Sequence, residues 1–326
     1  MAVGHNITVF KPPLPSALVD QLVHLWEDIF QADYAAFRAI LTGDEGSYNQ
    51  DIFYLIQQDK KAIGTCHLTI SIKNPELGGL GEVVTLPAFR GQGLAAALCT
   101  QARNDFRAAG GQALFLGTVN PAAGRIYHRL GWRKLAGANV MASITNADSP
   151  ETFLANYFNK TDTATVAPGS VAERIPMIPL ILSPHGWQLM DANTRLISTR
   201  YADQTSCMGL YPRYFSLEQD NHGAWFSART NQGRTVGLAS ARLDEIGNCQ
   251  VDGFAHHNHP KTWKPLIEAS LCWAADHGAD SCWISVSLKD EEKISQCETM
   301  GFCKAGAGAE FQLSDRMLSS IRLKKA

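Results

Sequence analysis

Behind Pro15-Ser16, the apolar residues Leu18, Leu22, Leu25, Trp26 and Ile29 recur at the spacing of one helix face, and Tyr34 to Leu41 carry a second helical pattern. The period then changes. Ile52 to Gln57, Ala62 to Ile72 and Leu80 to Leu86 are rich in apolar and β-branched residues, and the turn-forming runs Asp59-Lys60-Lys61 and Lys73-Asn74-Pro75-Glu76 separate them, which predicts an antiparallel meander. From Gly93 to Ala109, the residues Leu94, Ala97, Leu98, Ala102 and Phe106 return to helical period, and the pattern stops at Gly110-Gly111. A strand over Ala113 to Val119, a helix over Ala122 to Leu130 and a strand over Arg133 to Ile144 complete the series.

Residues 146–190 show no clear period. They hold Thr161-Asp162-Thr163-Ala164-Thr165 and Pro168-Gly169-Ser170, and so predict an interdomain connection between residues 1–145 and 191–326. Past it, Gly223 to Ala228, Thr235 to Leu243 and Cys249 to Ala255 form a second meander. A helix over Leu266 to His277, a strand over Ser281 to Ser287 and a helix over Glu291 to Met300 follow. The segments 118–132 and 288–302 are equal in length, and each runs from strand end through a helix to a Gly-aromatic pair, which indicates an internal duplication.

Composition agrees with two folded domains. The 326 residues exceed one ordinary core, and 45% hydrophobic with 18% charged residues is a globular balance. A net charge of -2 and a pI near 6.5 disfavour nucleic acid and anionic membrane as partners, since no excess of Lys and Arg exists to neutralise phosphates broadly. The start Met1-Ala2-Val3-Gly4-His5 lacks the pattern of a secretory leader, and Ile175 to Leu182 is too short to span a bilayer, so the expected location is the cytoplasm. The eight cysteines form no CxxC pair and are expected to be reduced and structural.

The densest chemistry lies between Val83 and Ala95, where a strand, a turn through Pro87 and the loop Arg90-Gly91-Gln92-Gly93 run directly into a helix. Gly91 and Gly93 let the backbone approach an anion, and the exposed N–H groups at a helix start attract pyrophosphate. Arg90 is placed to add a charge-assisted contact or to orient the loop. By itself such a loop is equally a plain strand-to-helix turn.

The segment Arg90-Gly91-Gln92-Gly93-Leu94-Ala95 resembles the coenzyme A loop of the GNAT N-acetyltransferase superfamily. Asn120-Pro121-Ala122-Ala123-Gly124-Arg125-Ile126-Tyr127-His128-Arg129-Leu130-Gly131-Trp132 resembles that family's second signature, and the likeness extends over residues 7–144. It implies an α/β fold of two GNAT-like domains, each a mixed, mostly antiparallel sheet flanked by helices, the second copy being degenerate.

The resemblance further implies that Val83, Val84 and Thr85 meet the pantetheine arm of acetyl-CoA, while Arg90, Gly91, Gln92, Gly93, Leu94, Ala95 and Ala96 hold its phosphates. Tyr127 is then the general acid toward the departing thiolate, and Asn120 contacts the coenzyme or caps its helix. No metal is expected. Glu82 is the candidate base for the acceptor amine, although strand alternation can turn it away, and a solvated strand carboxylate is the alternative.

In the second copy, His256-His257-Asn258-His259-Pro260 to Pro265 stands in place of the loop without a Gly-x-Gly. Asp290 falls opposite Asn120, and Cys297 opposite Tyr127. The three histidines lack an accompanying carboxylate or an i,i+4 partner, so packed or surface histidines are expected rather than a metal site. This copy is expected to bind no coenzyme and to shape the acceptor pocket, pack on the first or mediate dimerisation. The leading expectation is transfer of an acetyl group from acetyl-CoA to the amine of a small molecule, in a monomer or homodimer. A coenzyme-binding regulator without turnover is one alternative, and an enzyme using another acyl donor, for instance in malonyl-CoA decarboxylation, is the other.

Overall fold

A computed structural model describes residues 6–159, 162–219, 222–313 and 316–325. Met1 to His5, and Thr161 of the expected connection, lie outside the described residues. The chain divides into two compact units, Met1–Lys134 with Val140–Phe153, and Leu135–Asn139 with Leu154–Ala326. Among the described residues no helix is long and apolar enough to cross a membrane.

The first unit contains β1 (Ile7–Phe10), α1 (Ser16–Phe30), a 3-10 turn at Ala35–Phe37 and α2 (Arg38–Thr42). The meander β2 (Asn49–Gln58), β3 (Lys61–Ser71) and β4 (Leu77–Thr85) follows, then α3 (Leu94–Ala108), β5 (Ala113–Gly117), α4 (Pro121–Arg129), β6 (Arg133–Lys134) and β7 (Val140–Ile144). They build a seven-stranded sheet in the order β1-β2-β3-β4-β5-β7-β6, antiparallel except for β4 with β5.

The meander reads as nearly continuous hydrophobic runs because both sheet faces are covered. Along β2, Ile52, Tyr54 and Ile56 enter one core with Leu98, Ala102 and Phe106 of α3. The alternate residues Phe53 and Leu55 enter the other core with Leu22, Val23 and Trp26 of α1.

Two sequence expectations change here. The helix over Tyr34 to Leu41 is a 3-10 turn followed by five residues of α2. The strand over Arg133 to Ile144 is broken, because Leu135–Asn139 leave the sheet and Ala138 bridges Gln204 in the second unit.

α5 (Pro150–Tyr157) runs across the division, and the second unit continues with β8 (Ala164–Pro168), a 3-10 turn at Val171–Glu173, α6 (Met177–Leu182), β9 (Leu189–Asp191), β10 (Leu196–Ile197) and α7 (Leu210–Gln219). Next come β11 (Gly223–Thr230), β12 (Thr235–Leu243), β13 (Asn248–Ala255), α8 (Trp263–Asp276), β14 (Ser281–Ser287) and α9 (Glu291–Thr299). The chain closes with β15 (Cys303–Ala307), β16 (Phe311–Gln312), β17 (Met317–Leu318) and β18 (Ser320–Lys325).

The described residues within 146–190 hold α5, β8, the 3-10 turn, α6 and the start of β9. Phe153, Leu154, Ile175 and the whole of α6 are buried, and Pro176 and Pro179 sit at the N-cap and in the first turn of α6, where no intrahelical N–H is needed.

The duplication is visible in the topology. The second sheet runs β8-β11-β12-β13-β14-β18-β15, with one parallel pair, β13 with β14, at the place of β4 with β5. Gly64 of β3 and Gly237 of β12 hold the same place under the crossing helix, where a Cβ would lie 3.2 Å from Leu98 and 2.6 Å from Leu266, respectively.

Candidate functional site

β4 and β5 pair only from Leu77 to Gly79, opposite Ala113 to Phe115, so the two parallel strands part beyond Gly79. A bulge accompanies the parting. His67 faces Gly81 and Thr65 faces Val84, which leaves Glu82 and Val83 together opposite Cys66. Glu82 takes φ 47°, a conformation costly for a residue with a side chain. Thr65 Oγ1 holds it there by donating to the Glu82 carbonyl at 2.6 Å, and itself accepts from Trp26 Nε1 at 3.1 Å.

The bulge turns the Glu82 carboxylate toward β3, where Oε2 lies 3.0 Å from His67 Nδ1. His67 Nε2 is 2.8 Å from Asp51 Oδ1 on β2, and Thr69 Oγ1 donates to the same oxygen at 2.7 Å. The ring is fully buried, stacked on Phe53 at 4.4 Å and edge-on to Phe37 at 5.3 Å. Burial alone would lower the pKa of His67, but its hydrogen bonds and charges with Asp51 and Glu82 outweigh that and raise it. Burial first, and then the neighbouring Glu82, pushes the Tyr34 hydroxyl upward.

Neither His67 nor Asp51 stands out in the sequence. Asp51 follows Asn49 and Gln50 in β2 and His67 lies between Thr65 and Thr69 in β3, and only the register that sets Phe53 against His67 and Asp51 against Thr69 brings them to one face.

The loop after β4 has Gly91 at φ 79° and Gly93 at φ 84°, and a Cβ on either would meet nothing within 4 Å, so conformation rather than crowding calls for glycine. No side chain caps α3, and its first turn closes with Ala97 N–H on the Gly93 carbonyl. Main-chain N–H groups of Leu94, Ala95 and Ala96 thus head the helix at the loop. The Leu94 side chain is buried in the α3 core and Val84 in the α1 core, so these two offer only backbone to a ligand. Arg90 Nε donates to the Thr85 carbonyl at 3.3 Å, tying the loop back to β4. Thr85 Oγ1 is buried without a hydrogen-bond partner, an orphaned group that fits a ligand lying along β4.

Asn120 caps α4, its Oδ1 accepting from Ala122 N–H at 2.9 Å. Tyr127 lies in the core against Cys66, Cys99 and Trp132, and burial holds its hydroxyl protonated well above the usual range. Tyr127 thus belongs to the core on the α3 side of the sheet, and the His67 cluster, with Phe37 and Phe53, to the α1 side.

In the second unit the same parting of parallel strands is filled from within. β12 and β13 pair in unbroken register, Ser240 with Asp252 and Ala239 with Gly253, so the bulge is gone. Asp252 stands where Gly81 stands in the first sheet, and Lys293, aligned with Ala123, reaches its carboxylate at 2.6 Å with both side chains fully buried.

The Lys293 ammonium also donates to the carbonyls of Leu189 and Met190, at 2.9 and 3.2 Å. The Asp290 carboxylate accepts from the N–H groups of Gln188 and Leu189, and Asp252 from that of Ala192. Segment 188–192 therefore bridges β13 and the chain after β14.

A cavity of about 150 Å3 remains beside it, lined by His185, Trp187, His256, His257, Trp263 and Glu292. Burial drives His185 down to about 4 and His256 to about 3, so both rings are neutral and present no charge to an anion. Cys297 is buried in this core, its thiol pushed up to about 12 by burial. No group of His, Cys, Asp and Glu among the described residues is arranged to hold a metal.

Residues 19–132 match the model of the Acetyltransferase (GNAT) family. None of the curated proteins compared matches the chain. Among solved structures, the chain is similar to a spermidine N-acetyltransferase from Vibrio cholerae in complex with CoA and spermine, at 15% identity over 50% of this chain and 95% of that one, with a TM-score of 0.39. It is also similar to an N-acetyltransferase from Staphylococcus aureus, at 13% identity over 50% and 98%, with a TM-score of 0.40. The chain therefore carries, over residues 19–132, a domain of the GNAT acetyltransferase family, and is an acyltransferase by that membership.

Proposed function

We propose that the first unit transfers an acetyl group from acetyl-CoA to the amine of a small molecule, by direct attack within a ternary complex. The observation that carries this reading is the gap between β4 and β5, with the uncapped start of α3 at its end and Glu82 in its bulge. Main chain of Val83 to Thr85, with the orphaned Thr85 hydroxyl, lines the pantetheine arm. The loop Arg90-Gly91-Gln92-Gly93 and the N–H groups of Leu94 to Ala96 receive the pyrophosphate, and Asn120 fixes the start of α4 nearby.

The acceptor nitrogen forms a bond to the thioester carbonyl carbon, and the carbon–sulfur bond breaks as the tetrahedral intermediate collapses. Glu82 takes the proton lost by the amine. Tyr127 gives one to the leaving thiolate, and its buried, protonated hydroxyl suits that role. Holding both reactants across one gap supplies much of the acceleration.

The test combines the protein with acetyl-, malonyl- and succinyl-CoA and with panels of monoamines, polyamines and amino acids. Thermal shift reads donor binding, since a ligand stabilises by RT ln(1 + [L]/Kd), and mass spectrometry reads the products. Acetylated amine from acetyl-CoA is the expected result. A protein that no acyl-CoA stabilises, or one that transfers only another acyl group, overturns the reading.

A further inference from the structure

We propose that His67, clamped between Asp51 and Glu82, is a positioning residue that presents a fixed imidazolium to Glu82 and so aims its carboxylate to take the acceptor's proton. The inference rests on Glu82 being that proton acceptor, as proposed above.

Geometry sets the charge state of the ring. Both ring nitrogens face carboxylate oxygens, Nδ1 at 3.0 Å and Nε2 at 2.8 Å. A neutral ring protonated at Nδ1 would leave the Nε2 lone pair facing Asp51, with the Thr69 hydroxyl 3.0 Å away as its donor, whereas the doubly protonated ring donates to both carboxylates. Stacking on Phe53 at 4.4 Å places an aromatic face beside that charge. Asp51 is in turn fixed by Thr69 Oγ1.

The groups that face this centre are Asp51 from β2, Thr69 on β3, Glu82 from β4, and the Tyr34 hydroxyl from the turn before α2, which also adjoins Glu82. Cys66 lies close enough to feel the Glu82 charge. With His67 charged, Asp51, His67 and Glu82 sum to -1.

His67 binds Glu82 through Oε2, and the Tyr34 hydroxyl also bonds this carboxylate, so the base is held from two sides. The nearby cation holds that carboxylate in one orientation. The ring does not pass a proton on; both its nitrogens are already occupied.

The experiment measures kcat and KM for the full-length protein and for Glu82→Gln, His67→Gln and Asp51→Asn, with acetyl-CoA affinity followed in each. Glu82→Gln is expected to lose roughly 100-fold or more in kcat with acetyl-CoA binding kept. His67→Gln is expected to lower kcat by roughly 10- to 100-fold with acetyl-CoA affinity kept, because Glu82 loses the partner that aims it. Asp51→Asn is expected to lower kcat by less, because it weakens the hold on the ring without removing it.

A second measurement needs no variant: the nitrogen resonances of His67 in 15N-labelled protein at pH 7 are expected at imidazolium positions. Unchanged kcat in His67→Gln, a loss that comes with weakened acetyl-CoA binding, or a neutral tautomer at pH 7, overturns the inference and leaves the Glu82 reading standing. Full activity in Glu82→Gln overturns the Glu82 reading itself.

Discussion

Thr65 and Glu82 are joined side chain to main chain: the threonine hydroxyl donates at 2.6 Å to the carbonyl of the one β4 residue in the left-handed region. The same oxygen accepts from the buried Trp26 indole, so a helix, a strand and a bulge meet on one hydroxyl.

Thr65→Val removes that hydroxyl at nearly constant shape and leaves two polar groups without their partner. The expected cost is about 1–3 kcal/mol in stability, read by urea unfolding, with a fall in kcat because the bulge that aims Glu82 relaxes. Thr65→Ser keeps the hydroxyl and is expected to recover most of both. A valine variant as stable and active as the parent would show that the hydroxyl does not hold the bulge.

Tyr127→Phe tests the proton donor. The ring and its packing on Trp132, at 6.2 Å between centroids, are retained, so folding and acetyl-CoA affinity should hold while kcat drops by about 100-fold. Unchanged kcat would reduce Tyr127 to a core residue.

The buried histidines set a pH dependence with opposite signs in the two units. His185 and His256, held at about 4 and about 3 against 6.5 when unfolded, bind fewer protons in the folded state, so stability is lost as pH falls below about 6.5. The expected slope is about 1.4 kcal/mol per pH unit for each ring, measured by urea unfolding from pH 4.5 to 6.5. His67 acts the other way. Its pKa is raised, so the stability it lends is complete below about 6.5 and is lost as pH rises through its folded value. His256→Asn should flatten the acidic slope by one proton; an unaltered slope would mean that another group titrates there.

Lys293 and Asp252 form a fully buried pair, so removing one partner leaves a charge without compensation. Lys293→Met is expected to cost about 3–5 kcal/mol, and the double change Lys293→Met with Asp252→Leu distinctly less. Differential calorimetry of the three proteins measures both; equal losses would mean that the pair carries no coupling.

Much of the local geometry of the candidate site is legible in the sequence, because it is written in local signals. Gly91 and Gly93 mark positive φ, Asn120 marks a helix start, and the repeat of residues 118–132 in 288–302 marks the duplication. The His67 cluster was not legible. It depends on the register of three strands and on one bulge, and no spacing along the chain encodes which polar residues share a face. The elements within 146–190 leave no period for a related reason: β8 is an edge strand of five residues and α6 a helix of six, both too short to establish one.

The segment 188–192 gives the second sheet a ligand that never leaves. A free molecule competing for that gap contends with an occupant whose effective concentration is set by the covalent chain rather than by the solution, and dilution does not weaken it. Under the proposed function the first sheet draws its occupant from solvent, whereas the second carries its own as a cross-brace between strands that the fold leaves apart.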